Sequence, residues 1–319
     1  MNLLVKAACA LAVALPLASL AQSYPTKPVR IVIPLSTGST TDIFVRAMAV
    51  KLGAGLGQPV VIDNQPGAGG MLGTAAVARA APDGYTWLVV TSGAFAANPH
   101  LRKEMPYSPS KDFVPVCRIG LSPYILVAHP SLGVRSVQEL LAKAKTTTLS
   151  FASAGVGSSP HMAQEMFKSR TGMPFLHVPY KGTAQAVTDT MGGHAQVLMD
   201  SPGPLLPHIR AGKLVALGMT GGRRLASAPE VPTFEELGFA GLRLEGWIGL
   251  ALPASTPGSI VARASEACQS AVAASDLQTL AREQGLDADH VGPREFGEFI
   301  ASESQKWGDL IRRAGIKPE

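Results

Sequence analysis

Cysteine is scarce in this sequence, with three residues among 319, and the spacings that make cysteine or histidine reactive are missing altogether. Neither C-x-x-C, H-E-x-x-H nor G-x-S-x-G occurs, and the seven histidines are scattered from His100 to His290 without ligand spacing. No metal is therefore expected. Paired carboxylates suited to acid–base work are also missing from the glycine-rich loops described below, so no catalytic residue is assigned and the chain is not expected to be an enzyme. Charge is modest, 28 Lys and Arg against 23 Asp and Glu, and the basic residues form no run and no alternation with aromatics, which are only 6% of the chain. That distribution argues against nucleic acid as a partner and leaves room for a small anion. Beyond the first twenty or so residues, no stretch reaches the ~18 consecutive apolar residues of a membrane-spanning helix.

The amino terminus carries the one long apolar run. Lys6 precedes Ala7 to Leu20, broken only by Pro16 and Ser19, and the run ends in Ser19-Leu20-Ala21. At about 14 residues it falls short of the ~20 needed to cross a bilayer. A small-x-small ending therefore favours a secretory signal peptide over 1–21, cleaved after about Ala21, rather than a membrane anchor. Cys9 sits too early in the run to accept a lipid and belongs to the removed segment. The mature chain is expected in the periplasm, and it is long enough for two domains. Its remaining cysteines are Cys117 and Cys268. An oxidising compartment permits a bridge, but nothing in the sequence brings the two together, and unpaired thiols are expected.

Short β-branched runs alternate with helix-like stretches: Val29–Leu35 then Thr41–Leu52, Val60–Ile62 then Met71–Ala80, then Tyr85–Val90. The rhythm restarts at Ile125–Ala128 and continues to Leu214–Met219. Glu245–Leu252 then reads as another strand, followed by three helical stretches that end with Phe296–Ala314. Such alternation predicts an α/β class with largely parallel sheets. Two sets joined by strands near 120–128 and 245–252 predict two lobes and a hinged cleft, with one large α/β domain as the alternative.

In parallel α/β sheets ligands bind beyond the carboxyl ends of strands. Three loops at such places share one chemistry: Ser36, Thr37, Gly38, Ser39 and Thr40 after the first strand; Thr91, Ser92 and Gly93 after the third; and Ser153, Ala154, Gly155, Gly157, Ser158 and Ser159 in the second set. Glycine admits close backbone approach, hydroxyls donate, and the helix that follows offers unpaired N–H groups. Singly, each loop reads as an ordinary cap; at corresponding places in both halves, they predict a shared anion site. Two helix ends at about 0.3–1 kcal/mol each plus charged hydrogen bonds at roughly 1.5–3 kcal/mol each suit micromolar affinity. Asp200 ends the strand Val197–Met199 and reads equally as a ligand acceptor or as a cap for Ser201-Pro202. Tyr180 and Lys181 occupy a similar place, and His161, in a first helical turn, is expected to face solvent rather than ligand. Gly67-Ala68-Gly69-Gly70-Met71-Leu72 fails as a dinucleotide fingerprint because Leu72 stands where the last glycine belongs, and no cofactor is expected.

These residues carry a resemblance. Val29-Arg30-Ile31-Val32-Ile33-Pro34, Thr41-Asp42, Leu56-Gly57-Gln58-Pro59-Val60-Val61, Asn64-Gln65-Pro66-Gly67-Ala68-Gly69-Gly70 and Ala81-Pro82-Asp83-Gly84-Tyr85-Thr86 resemble the extracytoplasmic receptors of tripartite tricarboxylate transporters, also called Bug receptors. So do His177-Val178-Pro179-Tyr180-Lys181-Gly182, Pro229-Glu230-Val231-Pro232-Thr233 and Gly315-Ile316-Lys317-Pro318, so that the resemblance spans essentially the whole mature chain. It implies a type II periplasmic-binding-protein fold, two α/β lobes joined by hinge strands, with lobe 1 over 22–124 plus 247–319 and lobe 2 over 125–246. It further implies a small carboxylate held by the three loops with Asp200 beside them, a monomer, and a large and a small integral-membrane subunit as partners. A ligand-sensing role beside a membrane signalling protein is the alternative. The first loop departs from the family, since Leu35-Ser36-Thr37-Gly38-Ser39 stands where a Pro-Pro-Gly-Gly type of sequence is common.

Overall fold

The computed structural model describes residues 24–313 and Ile316. The expected signal peptide and its cleavage point, like most of the final Gly315–Pro318 motif, lie outside the described residues.

The first strand shows why this chain builds buried parallel sheets. In β1 (Val29–Ile33), every residue but Arg30 is buried, because helices cover both faces. Helix α1 (Thr40–Leu56) follows, started by Ser39, whose Oγ accepts from Asp42 N at 3.2 Å, and ended by Gly57 in the left-handed region at φ 74°. Next come β2 (Val60–Asn64), a short turn of helix at Ala68–Gly70, α2 (Met71–Ala78), β3 (Thr86–Thr91), a π-helical turn at Gly93–Ala97, α3 (Asn98–Leu101) and β4 (Phe113–Pro123). The chain then enters β5 (Ile125–Ala128) with only Tyr124 between, and continues through α4 (Val137–Ala144), β6 (Ser150–Ser153), α5 (Ser159–Thr171), β7 (Leu176–Pro179), α6 (Thr183–Met191), β8 (Val197–Asp200), α7 (Pro202–Arg210) and β9 (Val215–Met219). It returns through β10 (Glu245–Pro253) and closes with α8 (Gly258–Val272), α9 (Ser275–Glu283) and α10 (Pro293–Arg313).

Two five-stranded sheets result, ordered β2-β1-β3-β10-β4 and β7-β6-β8-β5-β9. Parallel pairs dominate one side of each sheet, while β10 runs antiparallel to β3 and β4, and β5 antiparallel to β8 and β9. The sequence reading therefore finds both α/β sets but not the length of β4, whose interior Pro115 and irregular burial disguise eleven residues of strand.

Packing explains how the two sheets hold together. One face of the first sheet buries Ile31, Phe44, Met48 and Leu52 against Ala264 and Val272 of α8. Its other face, with Val32, Leu88 and Val90, runs into a cluster that includes Trp247 and Trp307 and reaches Leu126 and Phe151 of the second sheet and Phe167 of α5. Apolar packing is thus continuous from one lobe to the other. Where the chain crosses, Tyr124 N donates to Thr220 Oγ1 at 2.9 Å, Thr220 N to Tyr124 O at 3.0 Å and Leu244 N to Thr220 O at 3.0 Å. Arg223 forks onto both oxygens of Asp287 at 2.8 and 2.9 Å nearby.

Cys117 and Cys268 form a disulfide, which corrects the expectation of unpaired thiols. The residues lie 151 positions apart, yet α8 packs on β4 and both sulfurs are fully buried between them. That neighbourhood arises only when the chain returns through β10 into the first sheet, so it leaves no local trace in the sequence.

Candidate functional site

Between the sheets lies a cavity of about 580 Å³, a volume ordinary for a small-molecule site. Four helices present their first turns to it: α1 through Ser39, Thr40 and Thr41; α5 through Ser158, Ser159 and Pro160; α6 through Gly182 and Thr183; and α7 through Ser201. The first N–H groups of each helix have no carbonyl within their own helix to bond, and the aligned peptides give each terminus a partial positive charge. Among the described residues, the cationic ones on the wall are Arg102 and Lys181. Positive potential in this cavity is therefore supplied largely by backbone.

Each loop is braced from behind. Gly38 N donates to Asp42 Oδ2 at 3.0 Å, Arg46 reaches Asp42 Oδ1 at 2.8 Å, and Asn64 Nδ2 bridges Asp42 Oδ1 at 2.9 Å and Leu35 O at 3.2 Å. Burial pushes the Asp42 carboxyl up, but the Gly38 amide, Asn64 and Arg46 outweigh it and hold the group below the usual range. In the second lobe Ser153 Oγ meets His177 Nε2 at 2.7 Å and accepts from Gly155 N at 3.2 Å. His161 is buried, contrary to its expected exposure. Its ring stacks on His177 at 4.2 Å, and Nδ1 accepts from Gly157 N at 3.3 Å. Burial first, then the neighbouring His177, Arg102 and Lys168, push its pKa down to about 3, so it serves as a neutral acceptor that shapes the loop.

The lobes touch directly across the cleft. Ser159 Oγ accepts from Gly93 N at 2.7 Å and lies 2.8 Å from Ser92 Oγ, while Thr40 Oγ1 accepts from Gly203 N at 3.1 Å. Tyr124 sits at the same joint, and burial raises its pKa, keeping the phenol protonated. Gly69 has φ 63°, and a Cβ there would stand 2.6 Å from Val156 O and 2.9 Å from the Gly157 carbonyl carbon. Only glycine allows that backbone contact.

Of the residues expected from sequence, Ser36, Ser39, Thr40, Thr91, Ser92, Ala154, Gly155, Ser158, Ser159, Tyr180 and Asp200 are on the cavity wall. Thr37 and Gly38 face solvent, whereas Gly93, Ser153 and Gly157 stand behind the wall as hydrogen-bonding or packing supports. Sequence reasoning missed Pro66 to Gly70, which it set aside as a failed dinucleotide motif although the segment follows the carboxyl end of β2. It also missed Tyr124, Gly246 and Trp247, which the crossing strands bring to the cavity. Asp200 is only 1% exposed and accepts from Ser201 N at 2.7 Å, Ser201 Oγ at 3.2 Å and Thr183 Oγ1 at 3.0 Å. Burial outweighs those donors and raises its pKa to about 6. A crevice of about 620 Å³ between α5 and α10 is more open and mixes Arg170, Lys306 and Arg313 with Asp309, without a helix N-terminus aimed into it.

Two sheets, a chain that crosses between them and a cleft walled by helix N-termini define a two-lobed solute-binding protein. The model of the tripartite tricarboxylate transporter family receptor (TctC) matches residues 44–316, and the chain belongs to that family of receptors, which are not enzymes. BugT of Bordetella pertussis is 35% identical over 300 residues, which cover 93% of this chain and 92% of BugT. The structure of the periplasmic binding protein BugD superposes with a TM-score of 0.89 at 30% identity, covering 93% of this chain and 100% of that one. Rpa4515 of R. palustris, solved with adipate, matches with the same TM-score at 31% identity, again over 93% of this chain and 100% of the other.

Proposed function

We propose that this receptor captures a small organic carboxylate in the periplasm and delivers it to the large and small membrane subunits of a tripartite transporter. The carrying observation is the convergence of four helix N-termini on one cavity that has few cations, a geometry suited to one carboxylate held by amides and hydroxyls. The adipate complex of Rpa4515 supports the ligand class. In this reading the lobes comprise 22–124 plus 247–319 and 125–246, the segment 1–21 is removed on export, and the mature protein acts as a monomer. Ser36, Ser39, Thr40, Thr91, Ser92, Ala154, Gly155, Ser158, Ser159, Tyr180 and Asp200 face the ligand. Thr37, Gly38, Gly93, Ser153 and Gly157 shape or flank their loops.

Trp247 lies on the wall and gives the test a reporter. Titrating purified protein with a panel of mono- and dicarboxylates should change its fluorescence with a Kd of about micromolar, an affinity worth about 8 kcal/mol. Native mass spectrometry should show a retained small acid. Failure of every carboxylate to bind, with neutral sugars or cations binding instead, overturns the reading. Uptake of the labelled ligand should fall when the gene is deleted.

A further inference from the structure

Asp200 is an anion placed in a cavity whose field favours anions of the ligand. It lies on the wall, at the end of β8, between the N-termini of α6 and α7. Among the described residues three donors reach it, whereas an ionised carboxylate offers about four lone-pair positions, so these donors leave one position unfilled. Tyr124 from the joint of β4 and β5, Tyr180 and Lys181 from the turn before α6, and Arg102 at the end of α3 are the other titratable or charged groups on the wall. No ion pair joins Asp200 to a cation among the described residues.

Resting on the carboxylate-receptor reading above, we propose that Asp200 sorts ligands by the charge of the group they bring to it: a hydroxyl or ammonium is accepted by the ionised carboxylate, whereas a second carboxylate enters only together with a proton. Two carboxylates side by side where one is this deeply buried do not both stay ionised, so such a pair shares one proton. A hydroxyl or ammonium instead fills the open lone pair and needs no proton. The free residue already titrates near pH 6, which sets the pH at which the proton for a diacid must be drawn from solution.

The test uses the full mature protein and matched pairs of probes: adipate and its ω-hydroxy monoacid of the same length, a shorter aliphatic pair, and an aromatic pair. Isothermal titration in buffers of different ionisation enthalpy measures affinity and proton uptake from pH 5.5 to 8. Diacids should take up about one proton and weaken about tenfold per pH unit above pH 6, while the hydroxy acids take up none. Asp200→Asn should flatten the diacid profile, tighten diacids at least tenfold at pH 8 and weaken the hydroxy acids. Thr183→Val removes a donor without removing the charge, and should move the midpoint of the diacid profile to higher pH. Identical pH profiles for both members of every pair, unchanged in folded Asp200→Asn or in Thr183→Val, overturn the proposal while leaving a carboxylate receptor standing. Failure of all probes at every pH overturns the receptor reading and this one with it.

Discussion

A buried carboxyl with a raised pKa and one with a lowered pKa leave opposite marks on stability. Asp200 titrates near 6 in the folded protein against 3.8 when unperturbed, so the folded state holds the proton over that window and stability falls as pH rises through it. The difference is worth about 3 kcal/mol, and denaturant midpoints of wild type relative to Asp200→Asn should show wild type losing about that much between pH 4 and 7. Asp42 acts in the reverse sense: its stabilisation is present above the unfolded value and is lost as pH falls through its lower folded pKa. Asp42→Asn should therefore cost about 1–3 kcal/mol at neutral pH and little in strong acid, read from the same curves. Ser159→Ala deletes the acceptor of two hydrogen bonds that join the lobes, and at about 1 kcal/mol per hydrogen bond the affinity for a carboxylate should drop about thirtyfold while melting of the chain changes little.

At the scale of elements, the site was legible where a local rule reports it. Glycine and hydroxyl residues after a strand mark Ser36 to Thr40 and Ser153 to Ser159, and Ser159-Pro160 marks a helix start, although the capping side chain is Ser158, one residue earlier. His161 was not legible, because its burial depends on stacking against β7, sixteen residues away in sequence. Nor was the place of Tyr124 and Trp247, which are brought to the cavity by two strands far apart in the chain. Gly67 to Gly70 was visible as a glycine cluster but was weighed only as a dinucleotide motif, since the close approach of Gly69 to the opposite lobe leaves no local trace. Gly69→Ala should hold the lobes apart, raising the radius of gyration measured with ligand by X-ray scattering and weakening binding at least tenfold. Gly212→Ala is the control: it has φ 68° and carries the same local strain, but a Cβ there meets nothing within 4 Å, so closure and binding should be preserved.

For the whole molecule, the order of elements matters more than any one of them. The second sheet is inserted between β4 and β10 of the first, and Cys117 and Cys268 stand on either side of that insertion. Their bond ties together the two chain segments of the first lobe across a loop of 151 residues. Replacing both by serine should cost about 2–5 kcal/mol, mostly by freeing the unfolded chain, and should lower the melting temperature without altering ligand affinity at 25 °C. At Gly69 the two lobes meet backbone to backbone. Side chains can swing aside, but peptide groups cannot, so this approach sets the narrowest gap to which the jaws are expected to shut. A solute longer than that gap leaves them ajar, and any membrane component that engages only the fully shut outline would turn it away by size alone, without ever meeting it.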